Sequence, residues 1–263
     1  VDVSGLRCIV TGAASGIGEQ VARELTERGG TVVSLDRREP SAPVADHLDV
    51  DLAEKSSIDA VVTRLGANWD ALINVAGIPG TAPDEAVFRV NFLGLRHLTE
   101  SMLPHLNTGG SVVNVSSTAG LEWAARLELI TELLATKTFD DGLRWFTANR
   151  PDVSAYNFSK EAVTVYTHAN GGRVSREFGL RMNAVLPGVV DTPILADFER
   201  SMGKEILDGV KEFVGRHAKP GDVAPAAVFL ASRDAGWING SAVTVDGGIT
   251  GAVMTGVVPM PDR

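Results

Sequence analysis

Residues 7–36 read RCIVTGAASGIGEQVARELTERGGTVVSLD, and their character changes twice. RCIVTG is a short apolar run ending in glycine, the pattern of a buried strand. GEQVARELTERGG places Val21, Ala22 and Leu25 on one helical face and closes on glycines. TVVSLD is a second strand, ending on Asp36. The loop between the first strand and the helix is TGAASGIG, Thr11 to Gly18. Its glycines, Gly12, Gly16 and Gly18, let the backbone turn tightly and approach a pyrophosphate, and the helix behind them offers free N–H groups and a favourable dipole. Gly12, Ser15, Gly16, Ile17 and Gly18 are therefore expected to hold a dinucleotide, although the spacing is T-G-x-x-x-G-x-G rather than G-x-G-x-x-G. Asp36 stands 18 residues past Gly18 at the strand end, where a carboxylate accepts from both adenosine ribose hydroxyls and repels a 2′-phosphate. Arg37 and Arg38 pull towards that phosphate. Asp36 holds the strand-end position itself, so NAD is expected over NADP.

Working outward, ALINVAG, SVVNVSS, RMNAVLPG and SAVTVDGG repeat the apolar-then-polar pattern, with helical stretches between them. Near-continuous apolar strands separated by helices predict an α/β fold: one doubly wound, Rossmann-type domain over residues 1–263, with a mostly parallel sheet flanked by helices. Such a sheet binds ligands outside the carboxyl ends of its strands. Of the 263 residues 44 % are apolar, ample for one core, and the net charge is −9 with no dense Lys/Arg run, which argues against nucleic acid as a partner. No apolar stretch reaches membrane-spanning length, and the first leads straight into the glycine loop, so neither membrane nor signal peptide is expected. A lone Cys8 fits a reducing cytoplasm. The five histidines are scattered without metal-ligand spacing, and no metal is expected.

SAYNFSKEAV, residues 154–163, carries one of two tyrosines; on a helix Tyr156 and Lys160 stand one turn apart. Together with the glycine loop, NVAG (74–77), VNFLG (90–94), VVNVSS (112–117), YNFSK (156–160) and PGVVDTP (187–193) stand in an order that resembles the short-chain dehydrogenase/reductase family across nearly the whole chain. NVAGIPGT, VNVSSTAGLEWAARLEL and WINGSAVTVDGG look like its bacterial coniferyl-alcohol dehydrogenases and 3α-hydroxysteroid dehydrogenase/carbonyl reductases. The resemblance implies a catalytic set of Tyr156 as acid/base, Lys160 as its partner, Ser117 on the substrate oxygen, and Asn91 anchoring a water that links Lys160 to solvent. It implies that Asn74, Ala76 and Gly77 line the cofactor cleft. Asp51 and Leu52 would meet the adenine, unless Asp49 and Val50 take that register. Pro187, Gly188, Val190 and Thr192 would hold the nicotinamide end, with Tyr156 and Lys160 also touching the cofactor. The implied reaction interconverts a bulky apolar alcohol and its carbonyl, an aryl allylic alcohol such as coniferyl alcohol or a 3-hydroxysteroid. A free phenol has a pKa of about 10, so bringing Tyr156 near 7 takes roughly 4 kcal/mol of preference for the phenolate. Lys160 and an oxidised nicotinamide both favour that charge. The alternatives are an NADP-preferring carbonyl reductase and a non-catalytic nucleotide-binding regulator. Epimerase or dehydratase chemistry usually belongs to longer relatives.

Ser117 and Tyr156 are 39 positions apart, much further than usual in that family. The added segment, about 121–153, reads as a helical insertion: Leu127, Ile130 and Leu134 have helical spacing, and Leu143 with Phe146 suggests a second helix. It joins two catalytic candidates, so it is expected to wall the substrate cleft, with Trp123 or Trp145 near the mouth. Residues 193–217 look like a substrate lid. In most of the family the helices flanking the tyrosine pack against a second subunit to help build a tetramer. An insertion there would obstruct that contact. A homodimer is expected instead, assembled through the last strand and the apolar tail with Val253, Met254, Val257 and Val258.

Overall fold

The computed structural model describes residues 1–258. Pro259 and Met260 of the apolar tail, and the end of the 1–263 span, lie outside the described residues. In chain order the elements are β1 (Arg7–Thr11), α1 (Gly16–Glu27), β2 (Thr31–Asp36), β3 (Asp46–Asp49), α2 (Lys55–Leu65), β4 (Trp69–Asn74), α3 (Asp84–Phe88), α4 (Leu95–Met102), β5 (Leu106–Val115), α5 (Leu127–Ala135), α6 (Phe139–Ala148), α7 (Ala155–Phe178), β6 (Arg181–Pro187), α8 (Leu195–Met202), α9 (Lys204–Val214), α10 (Pro220–Ala231), β7 (Ala242–Val245) and α11 (Ile249–Met254). A π-helical turn, Arg89–Gly94, joins α3 to α4, and a 3-10 segment, Thr118–Arg126, precedes α5.

The seven strands run in the order β3-β2-β1-β4-β5-β6-β7, and every pairing is parallel. Six of them coincide with the apolar runs of the sequence. β3, sequence DHLD, is an addition: only Leu48 is buried, so it carries no apolar run to announce it. The chain winds outward from β1 in both directions, so the crevice for a ligand lies between the carboxyl ends of β1 and β4. Val10, Ile73 and Val113 from β1, β4 and β5 face α1 and α10, forming one core layer. Ile9, Leu72 and Val112 face α2, α4 and α7, forming the other. Full burial of a Phe or Leu side chain is worth about 1.5–3 kcal/mol each, and both layers are built of such residues.

α5 and α6 supply the helical segment expected between Ser117 and Tyr156. Ile130 and Leu133 are its buried stripe on α5, whereas Leu127 is exposed, so the inward face is turned from the expected one. On α6, Phe146 stacks on Phe88 with ring centroids 3.9 Å apart. Arg96 on α4 donates to the carbonyls of Leu133 and Thr136, the Thr136 hydroxyl and the Thr138 carbonyl. That guanidinium ties the α5–α6 turn to the body of the domain. The result covers α7, whose residues 158–167 are buried without a gap.

Candidate functional site

The glycine loop closes against the loop after β4. Thr11 Oγ1 accepts from the Val75 and Ala76 N–H groups at 2.9 and 3.0 Å. This brings the backbones so close that a Cβ on Gly12 would lie 2.8 Å from Ala76 Cα, and one on Gly18 only 2.1 Å from the Gly12 carbonyl oxygen. Ser15 precedes α1 and its side chain makes no capping bond, so the helix presents N–H groups to the cleft. Asp36 faces the same cleft from the end of β2. Its Oδ2 accepts from the Ala14 N–H and its Oδ1 from the Arg38 N–H, both at 3.0 Å. These groups border a cavity of about 490 Å³ lined by Gly12, Ser15, Gly16, Ile17, Gly18, Asp36, Arg37, Asp51, Leu52, Ala76, Gly77 and Thr192. Val50 also borders it, while Asp49 pairs with Asp36 in the sheet. A crowded glycine turn, a helix N-terminus and a strand-end carboxylate fit a nicotinamide dinucleotide, pyrophosphate over α1 and ribose on Asp36.

A second cavity, about 700 Å³, shares Ile17, Gly77 and Thr192 with the first. Ser117, Tyr156, Lys160, Pro187, Gly188 and Val190 border it. Ser117 does two jobs. Its Oγ accepts from the Ala119 N–H at 3.1 Å, capping the 3-10 segment, and its hydroxyl hydrogen-bonds the Tyr156 phenol. Lys160 Nζ lies 5.7 Å from the centre of the Tyr156 ring and donates to the Val115 carbonyl at 3.1 Å. Burial pushes the phenol up to about 12, opposed by the Ser117 hydrogen bond, and pushes the ammonium down to about 8. Burial is the largest influence on both groups, raising the phenol and lowering the ammonium. Asn91 sits in the π-helical turn, a conformation that recurs at functional sites. Its Oδ1 accepts from the Ile78 N–H at 2.8 Å and its Nδ2 donates to the Ile78 carbonyl at 3.0 Å. A Cβ on Gly77 would lie 3.3 Å from Asn91 Oδ1 and 3.6 Å from Lys160 Nζ, so the two side chains share one corner. The amide thus binds both the N–H and the carbonyl of Ile78 and fixes the 77–78 loop beside Lys160.

Residues 7–128 match the short chain dehydrogenase family, and residues 146–250 match the family described as enoyl-(acyl carrier protein) reductase. The chain is 38 % identical over 251 residues to the coniferyl-alcohol dehydrogenase of Pseudomonas sp. (strain HR199 / DSM 7063), covering 95 % of this chain and 98 % of that protein. This chain belongs to the short-chain dehydrogenase/reductase family. It is an oxidoreductase of that family acting on CH–OH groups, with NAD(H) or NADP(H) as the family's cofactor. It is also 29 % identical to the 3-alpha-hydroxysteroid dehydrogenase/carbonyl reductase of Comamonas testosteroni, over 92 % of this chain and 95 % of that one. The crystal structure of the 3-alpha-hydroxysteroid dehydrogenase from Pseudomonas sp. B-0831 complexed with NADH superposes with a TM-score of 0.79 at 28 % identity, covering 96 % of this chain and all of that one. The stretch between the two family matches lies inside α5–α6.

Against the family pattern, three placements differ from the sequence reading. Asn74 lines neither cavity. It is buried in the sheet, where its Nδ2 donates to Thr99 Oγ1 and Asn114 Oδ1, each at 2.9 Å, and so joins β4 to β5 and α4. Neither tryptophan of the added segment borders the cavity. Trp123 packs on His168 and Trp145 stacks on Phe158, because both indoles are drawn into the apolar layer under the segment. The segment reaches the cavity through its ends instead, with Glu122, Arg126, Asp152 and Val153. Sequence reasoning missed these. Their signal was positional: the ends of any segment joining Ser117 to Tyr156 must flank the cleft. Among the described residues no helix is long and apolar enough to cross a membrane.

Proposed function

We propose that this enzyme is an NAD-preferring dehydrogenase of a bulky, largely apolar alcohol, with Tyr156 as the base. Ser117, Tyr156 and Lys160 border one cavity that shares Ile17, Gly77 and Thr192 with the glycine-loop cavity, and this is the observation that carries the reading. Gly12, Ser15, Gly16, Ile17 and Gly18 would hold the pyrophosphate, Asp36 the ribose, Asp51 and Leu52 the adenine side. Pro187, Gly188, Val190 and Thr192 would bracket the nicotinamide. Bound there, the nicotinamide supplies the hydride acceptor. The substrate hydroxyl sits between Ser117 and Tyr156. Ser117 donates to the oxygen as charge develops on it, and Tyr156, as its phenolate, takes the hydroxyl proton and becomes the phenol. Lys160, charged below about pH 8, steadies the phenolate once it forms. Asn91 positions the 77–78 loop beside that ammonium. Pocket volume and apolar neighbours such as Ile17, Ile78 and Val153 support a substrate larger than a short polar alcohol.

Asp36 supports NAD, as does the NADH bound by the similar 3-alpha-hydroxysteroid dehydrogenase. Arg38 borders the same cleft, with Nη2 at 3.4 Å from Ser15 Oγ, and is the group a 2′-phosphate would use if Asp36 were absent. The test follows NADH absorbance with a panel of aryl allylic alcohols, hydroxysteroids and short alcohols, using both cofactors. The expected result is oxidation of the large alcohols with higher kcat/KM for NAD, a gap that narrows in Asp36→Ala. Preference for NADP in the unaltered enzyme, or turnover of short polar alcohols alone, would contradict it.

A further inference from the structure

The wall of the substrate cavity that the added segment builds is charged. Arg126 is its centre. Nε of Arg126 donates to Glu161 Oε2 at 2.7 Å, and Nη2 is paired with Glu161 Oε1. Glu161 is 1 % exposed and Arg126 only 12 %, so this pair is a fixed part of the wall. The same guanidinium is 3.6 Å from Glu122 Oε2 and 3.6 Å from Asp152 Oδ1. Glu122 and Asp152 both border the cavity and are 51 % and 81 % exposed, so their oxygens stand at its open side. One cation is therefore shared among three carboxylates. Glu161 pairs with it at close range, which leaves an excess of negative charge at the opening. The other charged group bordering the cavity is Lys160, beside Tyr156 at the reacting end.

We infer that Glu122 and Asp152, held by Arg126, select the substrate by its far end: an alcohol whose remote end carries a hydroxyl is accepted, and one whose remote end carries a carboxylate is turned away. This rests on the alcohol-oxidising reading of the site. A hydroxyl can donate to either carboxylate, whereas a substrate carboxylate meets like charges and finds Arg126 already occupied. In a water-like dielectric each carboxylate about 6 Å away costs roughly threefold in binding, so two cost about tenfold. Because the charges are half in solvent, salt at several tenths molar erases most of this.

The experiment compares kcat/KM for three matched aryl allylic alcohols bearing para-hydroxyl, para-methoxy and para-carboxylate groups, at low and high salt, with NAD in excess. The unaltered enzyme is expected to prefer hydroxyl over methoxy, and hydroxyl over carboxylate by about tenfold at low salt, the second preference shrinking as salt rises. Glu122→Gln/Asp152→Asn keeps shape and removes both charges, and it should collapse the discrimination against carboxylate to near unity. Equal use of the hydroxyl and carboxylate substrates by the unaltered enzyme overturns the inference, as does discrimination that neither salt nor the double variant changes. Both outcomes leave alcohol oxidation itself intact. Failure of all three alcohols, with other alcohols in the wider panel also unused, would instead remove the reading on which the inference rests, and the inference with it.

Discussion

Lys160 shows how the site sets stability against chemistry. Its ammonium is buried, and desolvation brings its pKa to about 8 from an ordinary 10.5. The unfolded chain therefore binds this proton more tightly than the folded one. Stability attached to the group is fully present above pH 10.5 and is lost as pH falls to about 8. Below that the folded state carries the whole penalty, on the order of 3 kcal/mol. Tyr156 works in the other direction only above pH 10, where its raised pKa penalises the folded phenolate. Lys160→Met removes the buried charge but orphans the Val115 carbonyl, which returns about 1 kcal/mol of the gain. The cofactor-free variant should unfold a few degrees higher than the unaltered protein at pH 7. It should lose that advantage near pH 10.5, and it should oxidise alcohol far more slowly. Calorimetry at both pH values checks this; a lower melting temperature at pH 7 would mean the ammonium is better satisfied than its surroundings indicate.

At the scale of elements, α5 and α6 are built onto the domain rather than hung from it. Arg96 bonds three carbonyls of the α5–α6 turn, and Phe146 stacks on Phe88. Arg96→Met keeps the aliphatic stem and strands those carbonyls, so it should destabilise by about 2–4 kcal/mol. Urea unfolding measures it, and a loss under 0.5 kcal/mol would show that the segment packs without the clamp. This pair of helices was legible in the sequence because Ile130 and Phe146 fall on helical repeats, and the strands were legible because parallel strands are apolar on both faces. Three features were not. β3 is an edge strand with one buried residue, Leu48, too little to leave a pattern. The π-helical turn around Asn91 depends on how α3 and α4 pack, which no local spacing encodes. The indoles of Trp123 and Trp145 point into the apolar layer because burial there outweighs lining a half-wet cavity, while Glu122, Arg126 and Asp152 remain at the opening. For the candidate site, the strand-end residues were readable from motif order, whereas Asn74 shares the motif yet turns into the sheet.

For the whole molecule, α5 and α6 pack over α4 and the N-terminal half of α7, whose residues 158–167 are buried. Apolar surface is exposed at the other end of the sheet. Trp237 beside the edge strand β7 is fully exposed, and Met254 and Val257 near α11 are 81 % and 70 % exposed. An unpaired parallel edge next to apolar side chains is a surface that a second copy can bury. Light scattering at low micromolar concentration should therefore give twice the chain mass of 27.7 kDa. A chain ending at Gly251 should shift towards monomer. A tetramer, or a truncated chain of unchanged mass, would contradict this assembly.

The Tyr156 phenol borders the cavity that adjoins the glycine-loop cavity, and the account of the molecule turns on it. Tyr156→Phe removes a single oxygen and keeps the ring, so the fold and the glycine-loop cavity should be unaffected. The decisive measurement is alcohol-dependent NADH formation by this variant, with NADH binding followed in parallel by fluorescence. The account predicts unchanged NADH binding with kcat reduced by at least about 10²–10⁴-fold. It also predicts that oxidation by the unaltered enzyme climbs as pH rises into the alkaline range, since burial holds the phenol protonated. Near-normal turnover by Tyr156→Phe, with NADH still bound, would contradict it.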